Sequence, residues 1–195
     1  ESPDYLKYLF QKIYDSDHIF AKIIKFSVEK MASRFFGHSC LYIFIKDGEF
    51  LKQKKIFTNE ELDKRNDGLK ELTELIDLKE IDYFLSDGVL LGAAREKNFI
   101  KWDWDVEITI LTESIWDKVD SFLEAVKKNG FEIGSIDNSY ENFKINLFKN
   151  ENKFSLNGLI IKGEKRVRNS YSYPKELFEK KELIEFRGKS YPAPY

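Results

Sequence analysis

Three acidic residues at alternate positions, Asp103, Asp105 and Glu107, are the part of this sequence best suited to chemistry. On a strand, alternate residues share one face, with about 7 Å between successive Cβ atoms at a rise of ~3.3 Å per residue. A row of carboxylates repels itself unless a cation lies between them, and oxygen-only sites suit Mg²⁺ or Mn²⁺. The pattern makes this segment a candidate divalent-metal site. A solvated acidic strand edge is the simpler alternative.

The residues around this acidic segment predict a seat for phosphate. A strand over 82–86 leads into Gly88 and a short helix from about Val89 to Lys97, which contains Gly92. Backbone N–H groups at a glycine turn and a helix start bind phosphate oxygens. The opposite side of the acidic strand is expected to be buried through its apolar residues, Trp102, Trp104, Val106 and Ile108.

Residues 83–111 resemble the signature of the LicD/fukutin family, within the polymerase-β-like nucleotidyltransferase superfamily. The residues that match it in register are Ser86, Gly88, Leu90, Leu91, Gly92, Ala93, Arg95, Phe99, Ile100, Trp102, Asp103 and Asp105. A weaker likeness covers the end of the chain, from Tyr173-Pro174 to Pro192, whereas the first 80 residues are not covered.

The chain departs from this signature at several positions. Val89 replaces a Thr or Ser that can bond phosphate, and Asp87 replaces a glycine. Lys101 replaces a proline and Glu107 replaces an aspartate. A third superfamily carboxylate is expected on a later strand, where the segment 154–157 offers only Ser and Asn.

The resemblance implies metal-dependent transfer of a phospho-substituted group, such as phosphocholine or phosphoribitol, from a CDP-linked donor to a sugar hydroxyl of a surface or capsular glycan, with CMP released. Asp105 and Glu107 would be the principal ligands of Mg²⁺ or Mn²⁺. Asp103 would be a further ligand or the base for the acceptor hydroxyl. Gly88, Gly92 and Arg95 would bind the donor. A salt bridge from Arg95 to Asp103 or Glu107 explains that arginine equally well.

Two other functions remain open. One is a different nucleotidyltransferase reaction, with nucleotide transfer to a protein or a small molecule. The other is a catalytically weakened binding domain of a glycan-assembly protein, which Val89 and the missing third carboxylate favour. A basic cluster could steer an anionic donor, although a solvated hairpin turn also explains it; its members are Lys162, Lys165, Arg166 and Arg168.

The order of the helices and strands that position these residues predicts an α+β fold. The resemblance implies a nucleotidyltransferase-like mixed sheet with packed helices. Residues 1–57 are expected to form accessory helices, over 3–36, and a hairpin; residues 58–195 would form the catalytic core. Thr58 opens a helix that runs to about Leu78. A strand over 104–111 precedes a helix capped by Thr112 and stopped by Gly130. Strands follow over 131–167, and the end is expected to be loop-rich.

Composition excludes several other classes of protein. The net charge of −2 disfavours a dedicated nucleic-acid binder. The single cysteine, Cys40, excludes a disulfide framework and fits a cytoplasmic location. No apolar run reaches the ~20 residues of a transmembrane helix. An association with membrane-bound glycan assembly stays possible without such a helix. Because the chain begins with Glu1, we expect a fragment of a longer protein.

Overall fold

A computed structural model of the chain describes residues 42–46, 49–53 and 56–195. Contacts divide the chain into two units, 1–55 and 56–195, which we describe separately. In the first unit, β1 (Tyr42–Lys46) and β2 (Glu49–Gln53) pair antiparallel, as the hairpin prediction requires. The helices predicted over 3–36 lie outside the described residues.

The second unit has the α+β fold that the sequence predicts. Its helices are α1 (Asn59–Leu78), α2 (Asp87–Glu96), α3 (Thr112–Ile115) and α4 (Val119–Lys128). Its strands are β3 (Tyr83–Leu85), β4 (Asp105–Leu111), β5 (Glu132–Asp137), β6 (Lys144–Lys149), β7 (Asn152–Lys162), β8 (Lys165–Arg168), β9 (Tyr171–Pro174), β10 (Glu182–Phe186) and β11 (Lys189–Ala193). Short 3₁₀ turns cover Tyr140–Asn142 and Lys175–Phe178. None of these described helices is long and apolar enough to cross a membrane.

The main sheet is mixed and has the strand order β3-β4-β7-β6-β5, with β8 and β9 continuing from the far end of β7. β4 and β7 run parallel, whereas β3 and β6 are antiparallel to the strands they join. The parallel register sets Asp105 opposite Lys153 and Glu107 opposite Ser155. Residues about fifty positions apart in the chain therefore become neighbours.

The two faces of β4 differ in composition. We call one the core face, because Val106, Ile108 and Ile110 on it are 0% exposed. They belong to a core that includes Leu69 of α1 and Phe122 of α4. The opposite side, which we call the polar face, carries Asp105 and Glu107; further along it a smaller apolar cluster forms from Phe84, Leu111, Leu159 and Phe178.

The capping box predicted at the start of α1 is present. The Thr58 hydroxyl accepts a hydrogen bond from the Glu61 amide at 3.3 Å, and the Glu61 carboxylate accepts one from the Thr58 amide at 2.8 Å. The helix ends at Leu78, where the sequence places its end. A cap of this kind satisfies amide groups that have no partner within the helix.

The helix predicted from Thr112 to Gly130 is instead two helices. α3 ends at Ile115 and α4 begins at Val119, and Thr112 lies inside α3 rather than capping it. Between them, the Lys118 ammonium donates to the carbonyls of Lys79 and Glu80, both at 3.0 Å. This tertiary contact ties the break to the end of α1. Gly130 does follow the helix end, with φ of +79°.

The prediction of a loop-rich end is wrong, because β10 and β11 form an antiparallel hairpin there. Its turn is Arg187-Gly188, with φ values of +47° and +80°. A two-residue turn with both φ values positive matches the twist of paired strands. Arg is not a typical residue for its first position, so the turn is hard to recognise in the sequence. Phe186 and Tyr191 of this hairpin are 0% exposed in the main core.

Candidate active site

Asp105 lies at the first position of β4, on the polar face, and its side chain is already engaged. The residue is 7% exposed. Its Oδ2 atom accepts a hydrogen bond from the Ser155 hydroxyl at 3.0 Å. The Lys153 ammonium lies 3.5 Å from the same oxygen. Both partners come from β7, so the parallel pairing of the two strands fixes this carboxylate.

Glu107 lies two residues further along the same face in a more negative environment. Burial, and then the nearby carboxylates of Asp87 and Asp105, raise the pKa of Glu107 from its ordinary 4.5 to about 7. The Arg168 guanidinium opposes this increase in pKa. Glu107 therefore carries a half-buried negative charge that its protein neighbours compensate incompletely.

Asp103 does not lie on the strand, which corrects the prediction of three carboxylates in one row. β4 begins at Asp105, and the Asp103 amide donates to the Ile100 carbonyl at 3.0 Å within a turn. The same turn leaves Trp102 49% exposed, so its predicted burial is also wrong. A local hydrogen-bonded turn has replaced the strand pairing that alternation assumed.

The Asp103 carboxylate nevertheless stays near the other acids, because it lies against Gly88. A Cβ atom on Gly88 would be 1.7 Å from Asp103 Oδ2, so only glycine leaves room for this carboxylate. Burial, followed by repulsion from Asp105, raises the pKa of Asp103. The glycine that the sequence assigns to donor binding thus makes space for a carboxylate at the start of α2.

A buried arginine on α1 holds the turn that carries Asp103. Arg65 is 0% exposed, and its guanidinium donates to the Asp103 carbonyl at 2.8 Å and to the Asn152 side chain at 3.0 Å. It stacks on Phe57, 4.1 Å from the ring centroid. Burial lowers the pKa of Arg65 to about 10, while the carboxylates of Asp103 and Asp105 favour its charge. Arg65 is not predicted from the sequence, since only the tertiary contact reveals its role.

The start of α2 has an unusual backbone at Asp87, where the family signature has glycine. Asp87 has φ of +50°, a left-handed conformation that costs a non-glycine residue energy. Its carboxylate lies 3.5 Å from the Arg168 guanidinium. Aspartate tolerates the left-handed conformation better than most residues do. Val89, a further departure from the signature, is 2% exposed in the main core, so its side chain points away from the polar face.

The two remaining predicted donor-binding residues have other surroundings. A Cβ atom on Gly92 would lie 2.4 Å from the Asn98 carbonyl oxygen, so Gly92 allows the loop after α2 to pack on the helix. The Arg95 guanidinium is 3.9 Å from Glu96, and its side chain is 60% exposed. The alternative of a salt bridge from Arg95 to Asp103 or Glu107 is therefore wrong, because the ion-pair partner of Arg95 is Glu96. Donor binding by these two residues stays a prediction.

A divalent cation fits two of the three predicted ligands better than all three. Within residues 56–195, whose side chains the structure describes, no three His, Cys, Asp or Glu side chains converge on one metal position. Asp105 and Glu107 share the polar face, whereas Asp103 is turned towards Gly88. Burial, and then the carboxylates of Asp87 and Asp105, raise the pKa of Glu107, and a bound cation would favour its charged form. The oxygen donors and their charge suit Mg²⁺ or Mn²⁺ at Asp105 and Glu107.

The position expected to carry a third carboxylate is occupied by Ser155. Its hydroxyl lies 3.0 Å from both Asp105 Oδ2 and the Asn146 side-chain oxygen. The sequence predicts this place only as the segment 154–157, and it does not predict Lys153 as a site residue. Arg168 is predicted only as a member of the basic cluster, for which donor steering and a solvated hairpin turn both stay open. The register of β7 against β4 is the signal that would have found Lys153.

The sequence profile described as LicD/FKTN/FKRP, nucleotidyltransferase domain, matches residues 80–195, more than half of the chain. A search of curated proteins finds no match.

Solved structures give more distant matches. The chain is similar to ANT(2″)-Ia in complex with adenylyl-2″-tobramycin, with 12% identity, 66% of this chain and 68% of that chain covered, and a TM-score of 0.45. It is also similar to a proposed nucleotidyltransferase from Thermotoga maritima, with 9% identity, 66% and 76% coverage, and a TM-score of 0.44.

The mixed sheet with its acidic polar face, together with the profile match, defines a nucleotide-related transferase. The chain belongs to the LicD/FKTN/FKRP family and carries its nucleotidyltransferase domain over residues 80–195.

Proposed function

We propose that this protein transfers a phospho-substituted group, such as phosphocholine or phosphoribitol, from a CDP-linked donor to a sugar hydroxyl of a surface or capsular glycan. The observation that supports this most strongly is the pair Asp105 and Glu107 on the polar face of β4, where the pKa of Glu107 is about 7. Two carboxylates on one strand face, beside a helix start, suit a metal-bound diphosphate. Family membership supports the same class of reaction.

The step we propose is a displacement at phosphorus. The acceptor hydroxyl oxygen forms a bond to the phosphorus of the transferred group, and the bond from that phosphorus to the oxygen of CMP breaks. CMP leaves with the bonding electron pair. Asp103, whose pKa is raised by burial, would take the hydroxyl proton. Asp105 and Glu107 would hold Mg²⁺ or Mn²⁺, which supplies charge neutralisation on the phosphate oxygens when bound.

A binding domain with weakened catalysis is the second candidate. It is favoured by the position opposite Glu107, which holds Ser155 instead of a carboxylate. Nucleotide transfer to another acceptor remains a third candidate, and the products separate it from the first. Transfer of a phospho-substituted group releases CMP, whereas nucleotidyl transfer leaves the nucleotide on the acceptor.

The test begins with donor binding by the full chain. A thermal-shift series with CDP-choline, CDP-ribitol, CDP-glycerol and UDP-sugars, with and without Mn²⁺, should show the largest Mn²⁺-dependent increase in Tm for one CDP-linked donor. Transfer from that donor to a glycan acceptor should then release CMP. No nucleotide affinity in the presence of metal would contradict the proposal.

Two variants connect the reaction to the site. Asp105→Asn should lower transfer on the order of 10³-fold, since it removes a charged group that acts on the reacting phosphate. Glu132→Gln is the matched control, because Glu132 is an exposed carboxylate at the start of β5. Circular dichroism should show that both variants fold. Unchanged transfer by Asp105→Asn would contradict the site proposed here, whereas a wild-type chain that binds the donor but transfers nothing would favour the binding-domain alternative.

A further inference from the structure

The ammonium group of Lys153 occupies a place beside Asp105 that a second cation could otherwise take. Lys153 lies opposite Asp105 in the parallel register of β7 and β4. Its Nζ atom is 3.5 Å from Asp105 Oδ2 and 3.9 Å from the centroid of the Trp104 ring. The side chain is only 14% exposed. An ion pair and a cation–π contact thus fix one positive charge against the acidic cluster.

The rest of β7 adds no negative charge to the site. Residues 152–162 contain no Asp or Glu, and the residue opposite Glu107 is Ser155. Sites with two metal ions hold them roughly 3.5–4 Å apart, which places a total charge of four between shared ligands. Here a divalent ion on Asp105 Oδ2 would meet the ammonium group at close range. Like charges repel strongly when they are buried, so we expect no second metal ion on the Lys153 side of Asp105, at Oδ2.

We propose that Lys153 acts as a built-in second cation, so that the site binds a single divalent ion at Asp105 and Glu107. Lys153 is a positioning residue in this scheme: it fixes Asp105 and adds a positive charge beside the donor phosphates. The inference rests on the proposed function, since it assumes a phosphate-bearing substrate on the polar face. It assigns this chain a metal stoichiometry of one.

The arrangement has a physical advantage over a mobile lysine. The contacts with Trp104 and Asp105 order the long side chain before any substrate binds. The conformational entropy of that chain is therefore lost on folding and not on substrate binding. A fixed charge also remains at low metal concentration, when a second bound ion would dissociate.

The decisive measurement is Mn²⁺ binding to the full chain in the presence of CDP. Electron paramagnetic resonance and calorimetry would measure its affinity and stoichiometry. We expect one Mn²⁺ per wild-type chain. Lys153→Met should bind Mn²⁺ more tightly, on the order of tenfold, because a neighbouring positive charge is lost. The same variant should transfer on the order of 10²-fold more slowly. A variant that is merely misfolded would lose both properties, so tighter binding with slower transfer is diagnostic.

Lys149→Met is the matched control. Lys149 is also a half-buried lysine, which pairs with Glu71 and lies 4.7 Å from the Phe131 ring centroid. Its removal should leave the Mn²⁺ affinity and stoichiometry unchanged. Should Lys153→Met fold poorly, Lys153→Glu provides a second probe: a carboxylate in this place should admit a second Mn²⁺ per chain.

Three results would overturn the inference: two Mn²⁺ per wild-type chain, no Mn²⁺ at all, or an unchanged Mn²⁺ affinity in Lys153→Met. The failure of the proposed function has a different signature. A chain that binds one Mn²⁺, and more tightly as Lys153→Met, but transfers nothing from CDP-linked donors supports this inference and contradicts the proposed reaction.

Discussion

The two faces of β4 are built from adjacent residues but make opposite contributions to the protein. On the core face, Val106, Ile108 and Ile110 are fully buried among the residues of α1 and α4. On the polar face, Asp105 and Glu107 lie in a shared acidic environment. Burial of apolar area stabilises the fold, whereas half-buried carboxylates near one another destabilise it. Burial of the apolar residues on the core face of β4 therefore offsets the unfavourable free energy of the carboxylates on its polar face.

Within the polar face, the two carboxylates also differ from each other. Asp105 is held by Ser155 and Lys153 from the neighbouring strand. The Asp87 carboxylate affects Glu107 more strongly than the Asp105 carboxylate does, and the Arg168 guanidinium favours the charged form of Glu107. The difference indicates which carboxylate is fixed by the fold and which has charge available for a cation. Glu107 is the residue whose protonation should respond most to metal.

The largest effect should come from the core face. Ile108→Ala should lower the free energy of unfolding by roughly 2–5 kcal/mol, because it removes buried methyl groups and leaves a cavity. Urea denaturation followed by circular dichroism measures this change. The transfer rate per folded molecule should stay near that of the wild type. A large loss of transfer without a loss of stability would show that the two faces are not separate in function.

The next largest effects should differ between the two glycines of α2, with Gly88 needed for transfer and Gly92 for stability. Gly88→Ala would bring a Cβ atom onto Asp103 and displace its carboxylate, which should lower transfer about tenfold or more. Gly92→Ala would meet the Asn98 carbonyl oxygen, a backbone atom that cannot rotate away. It should lower the free energy of unfolding by about 1–3 kcal/mol. Paired stability and activity measurements check this division, and equal effects on both properties would contradict it.

The smallest effect concerns the pH dependence of stability. The pKa of Glu107 is about 7 in the folded protein against an ordinary 4.5, so the folded chain holds more protons between these values. The contribution of Glu107 to the free energy of unfolding should therefore be most favourable below about pH 4.5 and should fall by on the order of 1 kcal/mol as the pH rises to 7. Glu107→Gln should flatten this part of the curve. Chemical denaturation from pH 5 to pH 8, without metal, measures both; an unchanged slope would show that another group titrates.

Sequence reasoning succeeds here where a local pattern decides the structure. The capping box of Thr58 and Glu61 and the helix end at Leu78 depend on neighbouring residues alone. The acidic pair Asp105 and Glu107 is recognisable because strand alternation is local as well. These features could be predicted with no knowledge of the tertiary fold.

Sequence reasoning fails where distant segments decide. The turn that takes Asp103 off the strand is held by Arg65 of α1, which donates a hydrogen bond to the Asp103 carbonyl. Lys153 reaches Asp105 only through the parallel register of β4 and β7. The single helix expected after Thr112 breaks near Lys118, whose side chain binds the end of α1. In each case the deciding partner is more than thirty residues away, and no pattern in a short window contains it.

The parallel pairing of β4 with β7 has a consequence for how the protein acquires activity. Parallel neighbours cannot be joined by a tight turn, and here α3, α4, β5 and β6 all lie between them in the chain. Contacts between distant segments form slowly, because a long loop must close before any pairing energy is gained. In a refolding experiment, helical signal should thus return well before donor binding. Newly made chains would pass through a period in which they are largely structured but inactive.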